Sequence, residues 1–236
     1  MIAVARTAEP TVLRKHSARW LTELKSVMAD PNATRARHSK ALRRYQHREI
    51  KESLVKMFHG KCAYCESLIT VVTYGAIEHF YPKAHYVDKT FEWKNLLLSC
   101  DKCNDAEHKG DRFLLSDNGH PMLLDPTDEG TDIARHLDFV WDHEARMASV
   151  YGRDERGRLV EEVFDLNGVR GRKELIRHRS DCVKKLLVLC TYARENDQEA
   201  LALLGEACQP NAEYSAFAVS LYSSFLNGEK LSPSLL

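Results

Sequence analysis

Apolar residues recur at helical spacing in the first quarter of the chain and again in its last third. The first set, from Trp20 to Met28, predicts a helix over Ser17–Ala29 with Ser17 as its N-cap. After the breaker Asp30-Pro31-Asn32, a longer helix is predicted from Thr34 to Phe58, with Gly60 at its C-terminal cap. The later set predicts helices over Leu175–Arg194, Asp197–Ala207 and Tyr214–Leu226, and the tail Asn227–Leu236 is expected to fray.

Shorter apolar runs between these regions are typical of strands. Ala76–Phe80 and Asn95–Ser99 predict two strands, and a helix is expected from Cys103 to Lys109. Further strands are predicted over Met122–Pro126, His136–Trp141, Ala148–Tyr151 and Leu159–Phe164, with a turn at Arg153–Gly157 joining the last two. The predicted fold class is therefore α+β, a small ββα unit within a mostly helical chain that carries a small antiparallel sheet.

Charge is balanced overall but uneven along the chain. The 34 basic and 34 acidic residues cancel. Arg35–Lys56 nevertheless holds eight Lys or Arg against two Glu, and Asp117–Glu144 holds eight acidic residues against one Arg. Such asymmetry indicates nucleic-acid contact on one side and a protein partner on the other. Without a signal peptide or an apolar run of about 20 residues, we expect a cytoplasmic protein with no membrane contact.

Two Cys-x2-Cys pairs are the strongest local signal. Cys62 and Cys65 are separated from Cys100 and Cys103 by 34 residues. Four thiolates at this spacing are typical of a closed, tetrahedral structural zinc site, and the other readings are incidental core cysteines or a redox pair. Because a small ββα unit buries little apolar surface, zinc would supply much of its folding free energy.

Polar residues near the cysteine pairs form a candidate active site. His79 is a candidate general base, because neutral imidazole can take a proton from water near physiological pH. Glu78 and Asn104 are candidate oxygen ligands for Mg²⁺ or Mn²⁺. Adjacent strand residues point to opposite faces, so Glu78 and His79 reach one site only if the strand bends or ends there. Asn95 is expected to tie down the loop before it and to hold the His79 backbone.

Several other residues leave two readings open. Arg43 and Arg44 belong either to a solvated helix face or to a ridge that contacts phosphate. Lys83, with the neighbouring loop residues His85 and Lys89, either contacts phosphate or is simply exposed. Trp93 is expected to pack in the zinc unit rather than to stack on bases. Asp125 and His136 either touch the site or serve as a turn carboxylate and a surface histidine, and the second interpretation is favoured. The remaining cysteines are expected in the helical core: Cys182, Cys190 and Cys208.

The central motifs together resemble the HNH endonucleases, the ββα-metal nucleases that carry an added zinc. The resemblance rests on Cys62-x2-Cys65, Glu78-His79-x2-Pro82, Asn95-Leu96, Cys100-x2-Cys103-Asn104 and Lys109-Gly110. It implies that His79 activates water, that Asn95 orients the loop and that Glu78 and Asn104 hold the catalytic metal. Lys109 would contact phosphate, although four residues separate it from Asn104, where many members have fewer.

A narrower resemblance is to the PtuB-type HNH proteins of Septu and retron-associated antiphage systems. It rests on CAYCE, IEHFYPKA, FEWKNLLLSCDKCN and KGDRF, and extends in weaker form over most of the chain. It implies a defence role and a PtuA-type ATPase that controls the nuclease in a hetero-oligomeric complex.

The predicted organisation has four parts: N-terminal helices over 1–60, the zinc-bound HNH core over 61–116, short strands and loops over 117–168, and a helical part over 169–236. The function predicted by the resemblance is hydrolysis of phosphodiester bonds, with DNA as the expected substrate and RNA such as tRNA left open. The rival from another class is a zinc-knuckle module that binds nucleic acid or protein without cutting it. The acidic segment Asp117–Glu144 either docks the partner or keeps nucleic acid off the wrong face.

Overall fold

The computed structural model describes residues 1–70 and 74–226, and the predicted fraying of Asn227–Leu236 lies outside these residues. The chain divides into two compact units, one formed by Val4–Ala63 and Ile69–Phe113, the other by Met1–Ala3, Tyr64–Leu68 and the chain from Leu114 onward. The α-helices of the first unit are α1 (Thr11–Ala29), α2 (Arg35–Leu42), α3 (Arg48–Met57) and α4 (Asp101–Asn104). Those of the second are α5 (Ile133–His136), α6 (Glu155–Val163), α7 (Lys173–Ala193), α8 (Gln198–Ala207) and α9 (Ser215–Leu226).

A two-stranded antiparallel sheet lies at the centre of the first unit. Strand β1 (Ala76–His79) pairs with β2 (Leu96–Ser99), with Ala76 opposite Ser99 and His79 opposite Leu96. All four β2 residues are buried, and α3 packs against this strand. The one-turn helix α4 follows directly and contacts β1. Strand, loop, strand and helix therefore form the predicted ββα unit.

The second unit contains a β-hairpin covered by helices. Strand β3 (Leu137–Asp142) pairs with β4 (Met147–Gly152), and β4 contacts α6 and α7. The buried guanidinium of Arg179 on α7 donates to the carbonyl of Ala148 at 2.9 Å and to that of Leu166 at 2.8 Å. A buried charge satisfied by backbone carbonyls fixes the helix to the hairpin. The structure thus has two small sheets in a mostly helical chain, and the predicted α+β class is confirmed.

The N-terminal helices differ from their predictions. Helix α1 begins at Thr11 rather than at Ser17, because Val12 and Leu13 are also buried and extend its apolar stripe. The predicted continuous helix over Thr34–Phe58 is wrong. It is interrupted by a 3-10 turn at Arg43–Gln46, and His47 then adopts an extended conformation in which its Nδ1 accepts from the backbone N–H of Glu49 and caps α3.

The C-terminal end of α3 lies close to the predicted cap at Gly60. Gly60, with φ +72°, donates to the carbonyl of Val55 at 2.8 Å, while His59, with φ +53°, donates to that of Lys56 at 3.3 Å. These two bonds form a Schellman motif in which a histidine holds the left-handed position and the glycine follows it. A side chain at Gly60 would also meet Oγ1 of Thr70.

Four predictions from Cys103 onward are wrong. The strand predicted over Leu159–Phe164 and the turn at Arg153–Gly157 form helix α6, because Asp154 caps its first turn and Val160 and Val163 follow helical spacing. Met122–Pro126 forms no strand. The helix predicted over Cys103–Lys109 is the single turn Asp101–Asn104, followed by tight turns. Within the described part of the chain, no helix is both long and apolar enough to cross a membrane.

Candidate active site and metal centre

The four cysteines of the two Cys-x2-Cys pairs converge. Their sulfur atoms lie within 4.8 Å of one another, and only Cys100 is partly exposed. A tetrahedral zinc site with Zn–S bonds of about 2.3 Å needs sulfurs about 3.8 Å apart, a separation that lies within this limit, so the donor set suits zinc. Backbone hydrogen bonds hold the knuckles: Ala63 N–H donates to the carbonyl of Leu98 at 2.8 Å, and Cys103 N–H points at Cys100 Sγ at 3.4 Å.

Glu78 and His79 are the last two residues of β1. Strand β1 ends at His79, which meets the condition set by the sequence for these neighbours to serve one site. Both side chains are buried, and the residues are 4% and 3% exposed. The ring of His79 meets the ring of Tyr45 edge to face, with centroids 4.5 Å apart.

The tautomer of His79 follows from its hydrogen bond. Its Nε2 lies 3.0 Å from the carbonyl oxygen of Thr90. A carbonyl can only accept, so Nε2 carries the proton and Nδ1 keeps its lone pair. The loop therefore fixes the ring with Nδ1 as the basic nitrogen.

Burial lowers the pKa of His79 to about 3, and the positive charges of Lys83 and Lys109 add to this effect. The hydrogen bond to Thr90 acts in the opposite direction. The imidazole is consequently neutral at physiological pH, and without a nearby negative charge it is a weak base.

Lys109 joins the two candidate catalytic residues. Its ammonium lies 2.5 Å from Oε1 of Glu78 and donates to the backbone carbonyl of His79 at 2.8 Å, and Lys109 is fully buried. Burial raises the pKa of Glu78 above its ordinary value, and the nearby Lys109 ammonium offsets only part of this rise. The structure thus directs Lys109 at the carboxylate, away from any open surface where the predicted phosphate contact would form.

Turns after α4 explain how Lys109 reaches this position despite its longer spacing from Asn104. Oδ1 of Asp105 accepts from both the backbone N–H and Nδ1 of His108, at 3.0 and 2.7 Å. Lys109 N–H then donates to the carbonyl of Cys103 at 3.3 Å. This turn accommodates the additional residues between Asn104 and Lys109.

Asn95 anchors the loop that follows β1. Its Oδ1 accepts from the backbone N–H of Tyr81 at 2.7 Å, and its Nδ2 donates to the carbonyls of Tyr81 and Lys89 at 3.1 and 3.0 Å. The carbonyl of Asn95 accepts from Phe80 N–H at 3.0 Å. These bonds hold both ends of the loop that presents Thr90 to His79. They bind the backbone of Phe80 and Tyr81, the residues after His79, and not the backbone of His79 itself as the sequence predicted.

Asn104 lies at the end of α4 and lines a cavity of about 370 Å³ together with Tyr45, Lys51 and Ile77. Its side chain makes no hydrogen bond to any of the described residues, which leaves its amide oxygen available to a ligand. Glu78, the residue after Ile77, is not among the residues that line this cavity. A carboxylate and an amide oxygen are hard donors of the kind that Mg²⁺ and Mn²⁺ prefer, so the donor types of Glu78 and Asn104 suit such an ion.

The other residues predicted to contact phosphate differ in their exposure and in their partners. Lys83 is half-buried, with its ammonium 5.8 Å from the centre of the Tyr45 ring and close enough to lower the pKa of His79. Arg43 is exposed. Arg44 is held by Glu23 at 2.5 Å and lies over the Trp20 ring.

Lys51 was not singled out from the sequence. Its ammonium donates to the carbonyl of Gly75 at 2.5 Å, and burial lowers its pKa. Lys51 lies on α3, after the helix break that the apolar periodicity did not predict, and it lines the cavity beside Asn104.

Residues read as structural from the sequence have identifiable partners. Trp93 is buried and donates to the carbonyl of Thr7 at 2.9 Å. Asp125 closes a turn through Thr127, as expected. His136 is not a surface residue, because its half-buried ring pairs with Asp154 at 2.6 Å. Cys190 is in the core, whereas Cys182 and Cys208 are only partly buried.

Comparison with known proteins agrees with this geometry. Residues 62–110 match the family model described as HNH endonuclease. The chain is 26% identical to Septu protein PtuB of Bacillus mycoides (strain KBAB4), over 98% of this chain and 92% of that protein. It is 27% identical to Septu protein PtuB of Bacillus thuringiensis, over 73% of this chain and 67% of that protein. The chain therefore carries an HNH endonuclease domain, and its similarity to PtuB over most of its length supports a nuclease of the Septu defence system.

Proposed function

We propose that this chain is a metal-dependent HNH endonuclease that hydrolyses DNA and that a PtuA-type ATPase controls it within a hetero-oligomeric complex. The observation that carries the catalytic part is the fixed His79, whose Nε2–H is bound to Thr90 and whose Nδ1 keeps a lone pair at the end of β1. A binding module needs neither a base held in one tautomer nor an adjacent buried carboxylate.

In the proposed reaction, Nδ1 of His79 takes a proton from a water molecule while the water oxygen forms a bond to phosphorus. The bond from phosphorus to the 3′ oxygen breaks, and the leaving oxygen takes a proton from solvent. A Mg²⁺ or Mn²⁺ ion held by Glu78 and Asn104 would supply positive charge where negative charge develops.

Substrate binding would offset part of the low basicity of His79, of which burial is the largest cause. The Lys83 ammonium contributes to lowering the pKa of this histidine. A phosphodiester bound against Lys83 brings a negative charge that offsets this effect and raises the pKa of His79 towards the range of an efficient general base. The same contact positions the phosphate close to the base, which makes Lys83 the best placed of the predicted phosphate contacts.

The four-cysteine cluster is proposed to hold zinc in a structural role. All four ligand positions are filled by sulfur, which leaves none for water, and the knuckles adjoin the short ββα unit. Removal of zinc with a chelator should therefore lower the helical ellipticity and the melting temperature. An unchanged melting curve after verified zinc loss would contradict this role.

The catalytic assignment is tested by His79→Ala, with the exposed loop histidine His85→Ala as a matched control. Plasmid DNA, single-stranded DNA and total tRNA are incubated with each protein and Mn²⁺, with and without a PtuA-type ATPase from the same genome. We expect His79→Ala to keep its fold and zinc content and to lose cleavage, while His85→Ala cleaves at the wild-type rate. Wild-type cleavage by His79→Ala would overturn the mechanism.

The same experiment separates the alternatives. Cleavage of tRNA alone would replace DNA by RNA as the substrate. Tight binding of all three nucleic acids without cleavage, even with the ATPase, would favour a zinc-knuckle binding module. DNA is preferred here because of the resemblance to HNH nucleases.

The partner assignment is tested separately. Charge reversal of exposed acids in the Asp117–Glu144 segment, such as Asp117→Lys and Glu129→Lys, should reduce copurification with the ATPase if this segment is the docking surface. Unchanged copurification would exclude docking of the ATPase by this segment and would favour its other predicted role, repulsion of nucleic acid.

A further inference from the structure

We propose a second zinc site in the C-terminal helices, formed by His178, Cys182 and Glu213. One ligand atom from each residue lies within 4.8 Å of the others. None of the three belongs to the HNH motif, so this proposal stands independently of the nuclease assignment.

Helix α7 supplies two of the three donors. His178 and Cys182 are four residues apart, so they project from the same face of the helix, one turn above the other. Glu213 comes from the loop before α9, and its Oε2 lies 3.0 Å from Nε2 of His178. The three donors therefore converge from two separate segments of the chain.

The carboxylate of Glu213 is held in place. Its Oε1 accepts a hydrogen bond of 2.7 Å from the backbone N–H of Leu68, which leaves Oε2 facing His178. The next residue, Tyr214, is buried with a φ of +53°, and its hydroxyl is 2.9 Å from Oγ of Ser67. A ligand oriented by a further hydrogen bond is typical of metal sites.

The donor set favours zinc over magnesium. Imidazole nitrogen, thiolate sulfur and carboxylate oxygen are all ordinary zinc ligands, whereas magnesium prefers oxygen alone. Three protein ligands leave one position for water, which distinguishes this site from the closed four-cysteine cluster. The His178 side chain is 58% exposed, so an ion can enter from solvent.

Cys182 is the sulfur donor of this site. Its thiol is half-buried, and the sulfur lies within 4.8 Å of the ligand atoms of His178 and Glu213. Zinc would displace the thiol proton and lie between the sulfur and the carboxylate. The bound ion would then connect α7 to the loop before α9.

The test is the zinc content of the full-length protein after equilibrium dialysis against buffered zinc, measured by inductively coupled plasma mass spectrometry. We expect two zinc ions per chain in the wild type and one in each of Cys182→Ser and His178→Gln. The control Cys208→Ser, a partly buried cysteine outside both clusters, should retain two. Circular dichroism establishes that each variant is folded.

Alkylation gives a second readout. Iodoacetamide should modify Cys182 more slowly in the zinc-loaded protein than after a mild chelator removes the exchangeable ion. Equal zinc content in wild type, Cys182→Ser and His178→Gln, with unprotected Cys182, would overturn the site and leave His178 and Glu213 as a simple ion pair.

Discussion

The Lys109 ammonium lies 2.5 Å from Oε1 of Glu78 and also donates to the backbone carbonyl of His79 at 2.8 Å. One buried cation thus holds the candidate metal ligand and the residue that carries the candidate base. It compensates the carboxylate charge and joins the turn after α4 to the end of β1. Lys109 is therefore first a structural residue of the site.

Lys109→Met should lower the free energy of unfolding by about 3–5 kcal/mol, because it leaves the Glu78 carboxylate buried without a partner. Urea denaturation measures this loss. The double variant Glu78→Gln with Lys109→Met should recover part of it, since no uncompensated charge remains. Lys102→Met removes an exposed lysine 3.7 Å from Asp105 and should cost less than about 1 kcal/mol. A Lys109→Met protein as stable as the Lys102→Met control would show that the buried pair contributes little.

Asn95→Ala should destabilise the loop after β1. The substitution removes one acceptor and two donors that bind the backbones of Tyr81 and Lys89, and we expect a loss of about 2 kcal/mol in unfolding free energy. Hydrogen exchange should quicken at the Tyr81 amide, whose partner is lost. The exposed Asn118→Ala serves as the control. Unchanged exchange at Tyr81 would mean that the loop is held by other contacts.

Some features of this site are encoded locally in the sequence and others are not. The cysteine spacing predicted the four-sulfur cluster, and the short apolar runs predicted β1 and β2, because these signals depend on neighbouring residues. The burial of Lys109 depends on a turn made by Asp105 and His108, which the spacing alone did not indicate. The sequence likewise predicted Cys182 in the helical core. It did not indicate the carboxylate beside this thiol, because Glu213 is 31 residues away in the sequence.

Helix α6 shows a different limit. Its apolar residues over Leu159–Phe164 are compatible with either a strand or a helix over so short a run. The choice is made by Asp154, whose side chain accepts from Gly157 N–H at 2.8 Å and starts the helix. The break before α3 has a similar origin, because the cap made by His47 competes with helix continuation.

Lys51→Met should weaken DNA binding in a salt-dependent way, provided that the cavity beside Asn104 receives the phosphate backbone. Loss of one phosphate contact should reduce the slope of log affinity against log salt by about one. Fluorescence anisotropy with a short duplex and the catalytically impaired His79→Ala background would measure it. Lys56→Met, on the exposed side of the same helix, should change the slope less. Equal slopes for the two variants would exclude a specific role for Lys51.

The depressed pKa of His79 predicts how stability depends on pH. Below its ordinary pKa of 6.5 the unfolded chain binds a proton at this residue, whereas the folded protein does not until about pH 3. The stabilising contribution is therefore complete above about pH 6.5 and falls on acidification by at most about 1.4 kcal/mol per pH unit. His79→Gln lacks this titration, so between pH 7 and pH 5 the wild type should lose about 2 kcal/mol more unfolding free energy than the variant. Urea denaturation of both proteins across this range measures the difference, and parallel pH profiles would show that the buried imidazole is protonated as easily in the folded state as in the unfolded one.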